Sequence, residues 1–214
     1  HIVEAARMGA DIAIIGAPFD DAVTHRPGTR FGPRAIREAQ YQTGLLHSLQ
    51  LRVDPFAELV AVDAGDAAVV PGRLEYAHGE IYRKVRDVAS TGAIPIVLGG
   101  DHSITWPNAT AIAGLRWPSK IGILHFDAHA DTATDAYGSL ASHGAPMRRL
   151  IESGAVLGKN FVQVGLRGYF PTGETLDWMR EQGMRSHFMT EIEERGSEAV
   201  RSEEHTSELQ SHSF

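Results

Sequence analysis

Cysteine is absent from the 214 residues of the chain. Its absence excludes a disulfide framework, a zinc site built on thiolates and a cysteine nucleophile. A chain without disulfides fits a reducing compartment, and we expect it to be cytoplasmic. The chain also has no apolar run long enough to span a membrane and no recognisable signal peptide, so we expect no membrane partner.

Net positive charge is lacking as well, because 20 lysines and arginines stand against 27 aspartates and glutamates, for a formal charge of −7. No basic stripe is present to neutralise phosphates, so we expect no nucleic-acid partner. The balance fits a cationic small-molecule substrate better. Apolar residues make up 43% of the chain, which suffices for the core of one large domain.

Several well-known enzyme motifs are missing too. No Gly-x-Gly-x-x-Gly follows a strand, no Walker loop is present, and Ser103 does not sit in a Gly-x-Ser-x-Gly elbow. A metallophosphoesterase stays open as an alternative, since that class also places Asp and His at strand ends. Its Asp-x-His motif comes first and an Asn-His pair follows later, whereas here Gly-Asp-His comes first and Asn160 is followed by Phe161.

What the chain does contain is an alternation of apolar strands with helical segments. This pattern predicts an α/β domain with a mainly parallel sheet, and no repeat or linker divides it. The predicted strands cover 11–16, 59–63, 94–98, 121–126 and 161–165, and the predicted helices cover 33–40, 74–89, 104–115, 146–152 and 176–182.

The motif Asp127-x-His129-x-Asp131 follows the fourth predicted strand. On an extended chain this spacing points all three side chains to one side, and carboxylates with imidazoles are metal-ligand chemistry. The alternative is a polar loop whose aspartates cap the next turn. His125 shares the spacing but lies further inside the strand, so we interpret it as a buried, hydrogen-bonded histidine behind the ligands.

A second motif, 99–103, follows the third strand. Its glycines allow a tight turn, and Asp101 or Ser103 could simply cap the next helix. Because ligands gather beyond the carboxyl ends of parallel strands, we predict that His102 is a further metal ligand and that Asp101 orients it. His143, on a later loop, is either an exposed histidine without a role or a proton carrier near the site.

These motifs resemble those of the ureohydrolase family of arginases and agmatinases, and the resemblance covers 11–200. Their forms are more similar to agmatinases than to true arginases. The resemblance is carried by Gly16–Asp20, Arg26–Pro33, Gly99–Thr105, His125–Thr132, Ser142–Gly144 and Val162–Gly168.

The resemblance implies a three-layer α/β/α fold of the arginase/deacetylase type and a homo-oligomer, a trimer or hexamer. It also implies a pair of Mn²⁺ ions held by His102, Asp127, His129 and Asp131, with Asp127 bridging, and a proton-transfer role for His143. Such a site would supply hydroxide near neutral pH and aim it, through Asp131, at the carbon of a guanidinium. The implied reaction converts agmatine to putrescine and urea.

Other readings stay open beside this one. The substrate could be guanidinobutyrate or another guanidino acid, since the far end of the substrate decides between them. The chain could also be a non-catalytic assembly subunit of the same fold. The same ligands would serve Ni²⁺, Co²⁺ or Zn²⁺ in place of Mn²⁺.

The family carries a further Asp-x-Asp motif on a later strand, and none follows Val164 here. We therefore expect an incomplete domain over 1–200 that lacks its last strands, and an inactive 214-residue chain. The segment 201–214 resembles the in-frame translation of a sequencing adapter, so we interpret it as a non-native or disordered tail.

We predict that a long DNA read through the codons around Val200 continues in frame into a strand that carries Asp-x-Asp. The missing carboxylates would then complete the metal site. A gene that ends in the residues 201–214 would contradict this prediction and favour the assembly-subunit reading.

Overall fold

The computed structural model describes residues 9–39, 47–118, 121–136 and 138–196. The strands are β1 (Ile12–Ala17), β2 (Ala61–Asp66), β3 (Ile94–Gly99), β4 (Ile123–Phe126), β5 (Phe161–Leu166) and β6 (Arg185–Phe188). The helices are α1 (Gly32–Glu38), α2 (Pro55–Glu58), α3 (Leu74–Ala89), α4 (Thr105–Arg116), α5 (Pro146–Glu152), α6 (Gly173–Glu181) and α7 (Met189–Arg195).

All strand pairs are parallel, as the alternating pattern predicts. The order is β2-β1-β3 in one three-stranded sheet and β4-β5-β6 in a second. Ile12 lies opposite Ala61 and Ile94 in the first sheet, and Ile123 lies opposite Phe161 in the second. Because parallel strands end at the same edge, the loops after β1 and β3 leave their sheet side by side.

Each sheet has its own hydrophobic core. Under the first sheet, α3 buries Ile81, Val85 and Val88 at helical spacing against Ile15 of β1, as the sequence predicts. Under the second, Leu150 of α5 packs in a cluster with residues of β5 and α6, including Phe161, Leu166 and Met179. Helices therefore cover the strands through apolar faces, in keeping with a layered α/β domain.

The predicted elements and the observed ones differ mainly at their ends. The second strand begins two residues later than predicted and runs to Asp66, and α6 begins earlier because Thr172 caps it by accepting a hydrogen bond from the Thr175 amide. The sequence did not predict β6 or α7, because β6 has only four residues and reads Arg-Ser-His-Phe. The predicted tail 201–214 lies outside the described residues.

Two strand edges carry exposed apolar side chains. Among the described residues, β3 and β4 each pair with one neighbour only. Ile94 and Ile96 of β3 are 65% and 44% exposed, and Leu124 and Phe126 of β4 are 57% and 72% exposed. Strands of parallel sheets are usually buried on both faces, so these two strands present unusual apolar surface. Within the described part of the chain, no helix has the length and apolar character to cross a membrane.

The turn after β3 packs directly on the turn after β1. The Asp101 amide donates a hydrogen bond of 2.8 Å to the Phe19 carbonyl. Gly100, at a φ of +110°, has no room for a side chain, because a Cβ would lie 2.3 Å from the Phe19 oxygen and 2.5 Å from the Ala17 oxygen. Glycine at this position therefore allows the two backbones to meet.

We predict that Gly100→Ala destabilises the protein far more than Gly92→Ala. Both glycines have a positive φ, but a Cβ at Gly92 meets nothing within 4 Å. The Gly92 variant should lose about 1–2 kcal/mol through backbone strain. The Gly100 variant should lose a further ~1–3 kcal/mol or more, because two carbonyl groups must move. Urea-induced unfolding measures both, and equal losses would contradict the close approach of the two turns.

Candidate metal centre

Four potential metal ligands converge at the carboxyl ends of β3 and β4. One donor atom from each of His102, His125, Asp127 and Asp131 lies within 4.8 Å of the others. His102 opens the short 3-10 helix after β3, Asp127 directly follows β4, and Asp131 lies in the next loop. The carboxyl ends of parallel strands thus bring together residues that are distant in sequence, as expected for an α/β site.

Asp101 holds the turn that carries His102. Its carboxylate accepts a hydrogen bond of 2.8 Å from the Ser103 amide and one of 3.0 Å from the Ala22 amide. The acceptor beside the His102 ring is instead Asp131, whose Oδ2 contacts Nδ1. This differs from our interpretation of Asp101 as the group that orients the His102 ring: Asp101 caps the helix and fixes the backbone.

Asp131 has an unusual backbone, and α5 supports the loop around it. Its φ is +51°, a left-handed conformation that non-glycine residues rarely adopt. The Asp131 carbonyl accepts a hydrogen bond of 3.1 Å from the Met147 amide, and Arg148 Nε donates to the Thr132 carbonyl at 2.7 Å. A second buried arginine of α5, Arg149, donates to the next part of this loop. A strained residue held in this way at a cluster of ligands is typical of a functional site.

His129 is placed differently from the other predicted ligands. Its side chain is 65% exposed, and its Nδ1 lies 3.8 Å from Asp127 Oδ1, outside the cluster. Its backbone amide donates a hydrogen bond of 2.9 Å to the same oxygen. His125 is 6% exposed and hydrogen-bonded, which agrees with the sequence interpretation of a buried histidine behind the ligands. The assignment of His129 as a ligand stays a prediction.

The remaining predicted residue, His143, lies against the loop that follows β1. Its Nε2 is 3.3 Å from Thr24 Oγ1, and its amide donates to the Ala22 carbonyl at 3.2 Å. Buried Asp20 organises that loop, since it accepts hydrogen bonds from the Gly28 and Arg30 amides and forms an ion pair with the Arg30 side chain. Arg30 of this loop thus pairs with a buried acidic neighbour.

Within the cluster, the pKa of His102 is raised, whereas the pKa values of His125 and Asp127 are lowered. Burial would lower the pKa of His102, but the hydrogen bond and negative charge of Asp131 outweigh it, and the pKa is raised. Burial lowers the pKa of His125, and the neighbouring His102 lowers it further. Burial would raise the pKa of Asp127, yet the His129 amide and both imidazoles lower it. Negative charge therefore persists at the centre of the cluster.

The donor set fits a divalent cation. Carboxylate oxygens suit a hard ion such as Mn²⁺, and an imidazole adds affinity for ions of borderline character. The pKa of Asp127 is lowered, so its carboxylate keeps the negative charge that a cation would bind. A metal centre therefore explains why acidic groups and histidines lie together at this edge.

Comparison with known proteins identifies the family. The profile of the Arginase family matches residues 10–212. This chain belongs to the Arginase family. The fold class and family expected from the sequence motifs are thus confirmed, and the structural neighbours described below share the arginase fold, with parallel strands and flanking helices.

Among sequence relatives of this Arginase-family chain, human mitochondrial guanidino acid hydrolase is 39% identical over 183 residues, which are 86% of this chain and 51% of the relative. Mitochondrial agmatinase of Gallus gallus is 36% identical over 86% of this chain and 53% of the relative. The chain therefore spans about half the length of these curated relatives.

Two solved structures resemble the fold closely. Proclavaminate amidinohydrolase of Streptomyces clavuligerus superposes with a TM-score of 0.80 at 33% identity, over 89% of this chain and 62% of that one. Trypanosoma cruzi formiminoglutamase with Mn²⁺ superposes with a TM-score of 0.81 at 30% identity, over 92% of this chain and 66% of that one. A relative that was solved with Mn²⁺ agrees with the character of the donor set.

We predict that Asp131→Asn lowers the pKa of His102 in the metal-free protein. The variant removes the negative charge that stabilises the imidazolium, while burial continues to disfavour it. Asparagine also tolerates the left-handed backbone, so the loop should keep its shape. Proton NMR titration of the histidines measures the shift, and Asp177→Asn on exposed α6 is the control.

The same pair of variants tests the dependence of stability on pH. Because the pKa of folded His102 is raised, its stabilisation is complete below the unfolded value near 6.5 and is lost as the pH rises through the folded value. Asp131→Asn should remove this loss. An unchanged pKa of His102 would show that Asp131 does not control its protonation.

Proposed function

We propose that the full-length protein hydrolyses a carbon–nitrogen bond of a linear guanidino compound and releases urea. The observation that carries the proposal is the convergence of His102, Asp127 and Asp131 at one edge of the fold. Membership of the Arginase family and relatives named as hydrolases of guanidino compounds support it. The proposal concerns the full-length protein, because this chain covers about half of those relatives.

The reaction requires activation of both the guanidinium and the attacking water. A guanidinium is stabilised by resonance and resists attack, and water is a weak nucleophile at neutral pH. A pair of Mn²⁺ ions would supply hydroxide at a pH near 7. We propose that His102, Asp127, His129 and Asp131 would hold them, because these residues offer the oxygen and imidazole donors that the ion prefers.

The residues of the chain also act on the substrate. The carboxylates at the site attract a guanidinium through their negative charge. Asp131 accepts a hydrogen bond from the attacking water and so aims it at the guanidinium carbon. His143, which lies against Thr24 on the neighbouring loop, delivers a proton to the leaving amine. The products are urea and an amine.

Agmatine is the substrate that we propose first, with putrescine as the second product. The forms of the segments Arg26–Pro33 and His125–Thr132 are more similar to those of agmatinases, and the net charge of −7 suits a dication. A guanidino acid is the second candidate, since relatives at 39% and 36% identity are named guanidino acid hydrolase and guanidinobutyrase. A carboxylate on the substrate would then require a cationic partner in the protein.

Three further properties belong to this proposal. We expect a homo-oligomer, a trimer or hexamer, as the family resemblance implies. We also expect a cytoplasmic location, although two of the relatives described above are named mitochondrial. Finally, we favour an enzyme over a non-catalytic assembly subunit, because an assembly role gives no physical reason to keep two carboxylates and an imidazole in contact.

We predict that the full-length protein with Mn²⁺ releases urea from agmatine faster than from guanidinobutyrate. Asp127→Asn should reduce urea release by at least ~100-fold on either substrate, because the metal would lose its central carboxylate. Asp177→Asn is the matched control on an exposed helix. Faster release from guanidinobutyrate would select the second candidate, and a metal-loaded protein that acts on neither compound would contradict the proposed reaction.

A further inference from the structure

Gln163 is a buried amide with no assigned role. It lies on β5, is fully buried, and stands opposite His125 of β4 in the strand register. A buried amide has two N–H donors and a carbonyl acceptor, and each needs a partner. The hydrogen bonds of Gln163 connect the interior of the second sheet with the metal centre.

The orientation of this amide follows from its neighbours. Gln163 Nε2 lies 2.7 Å from the Ala130 carbonyl oxygen, which can only accept a hydrogen bond. The nitrogen must therefore face Ala130, because the opposite orientation would bring two carbonyl oxygens together. On the other side, Gln163 Oε1 accepts a hydrogen bond of 3.4 Å from the Ser186 hydroxyl of β6.

The second N–H of Gln163 fixes the protonation of His125. Gln163 Nε2 is 3.0 Å from His125 Nδ1, and since the amide nitrogen donates, Nδ1 must accept and carries no proton. The proton of the neutral ring is then on Nε2. That atom is 3.3 Å from Asp127 Oδ2, a carboxylate oxygen that accepts it. Both ends of the ring thus require the same tautomer.

We propose that Gln163 holds His125 in the tautomer protonated at Nε2, and that His125 is therefore a positioning residue that donates to Asp127 and not a metal ligand. The tautomer follows from the hydrogen bonds alone. Its consequence for metal binding rests on the function proposed above. Both ring nitrogens of His125 are thus already engaged in hydrogen bonds.

The effect on Asp127 is to orient its carboxylate from both sides. Oδ2 receives the His125 hydrogen bond, and Oδ1 receives one of 2.9 Å from the His129 amide. Each oxygen keeps a lone pair for a cation, while the plane of the carboxylate is held. A bridging carboxylate needs such an orientation, because its two oxygens must face different ions.

The tautomer is tested without any metal or substrate. In protein labelled with ¹⁵N-histidine, long-range proton–nitrogen NMR correlations distinguish a protonated ring nitrogen from an unprotonated one. We expect His125 to show a protonated Nε2 and an unprotonated Nδ1. A protonated Nδ1 in the wild-type protein would overturn the proposal, and this result needs no variant that might fail to fold.

Variants of Gln163 test whether this residue determines the tautomer of His125. Gln163→Glu replaces the donor with an acceptor, so Nδ1 of His125 should become protonated. Ser186→Ala removes only the contact to Oε1, and the tautomer should stay unchanged because Ala130 still orients the amide. An unprotonated Nδ1 in a folded Gln163→Glu protein would contradict the assigned role of Gln163.

Metal affinity tests the role of His125 in the full-length protein. Glutamine can place an N–H donor near the position of Nε2, so His125→Gln should keep most of the Mn²⁺ affinity, whereas His125→Ala should lose about 10–100-fold. If His125 is a ligand, both variants lose affinity alike, and the proposal fails. Since the NMR result is independent of metal, it separates failure of the tautomer from failure of the proposed function.

Discussion

Crowding of negative charge at one edge of the fold is the constraint on which the rest of this structure depends. Asp127 and Asp131 lie beside His102, with Asp101 in the adjacent turn, and like charges at such distances repel. Backbone amides and the His102 imidazole offset that repulsion: the Ser103 amide donates to Asp101, the His129 amide donates to Asp127, and the His102 ring contacts Asp131. The turns and helices around the site therefore serve to keep acidic groups together that would otherwise separate.

Much of this arrangement could be predicted from the sequence. Helix α5 matches its predicted range because Pro146 starts it, and α3 matches because its apolar residues repeat at helical spacing. The grouping of His102 with Asp127 and Asp131 follows from polar motifs at strand ends. The orientation of side chains could not be predicted in this way. The exposed ring of His129 and the partnership of His125 with Gln163 depend on strand register and rotamers, which spacing alone does not determine.

Buried polar groups, in place of apolar ones, support the loops of the site. Asp20 ties the loop after β1 to Arg30, and Arg148 supports the Thr132 carbonyl while its guanidinium stacks on Trp178. Such groups are costly to bury unless every donor has a partner, and in return they fix loops that apolar contacts would leave free to shift. Precision at the loops is what a site built from several strand ends requires.

Within the described part of the chain, β3 and β4 each have one edge without a partner strand, and these edges have a consequence for the chain in solution. A strand with unpaired amides and carbonyls is a template for another strand, and Ile94 and Phe126 add apolar surface to these templates. Copies of the 214-residue chain should therefore associate edge to edge as concentration rises, with the net charge of −7 as the main opposing force.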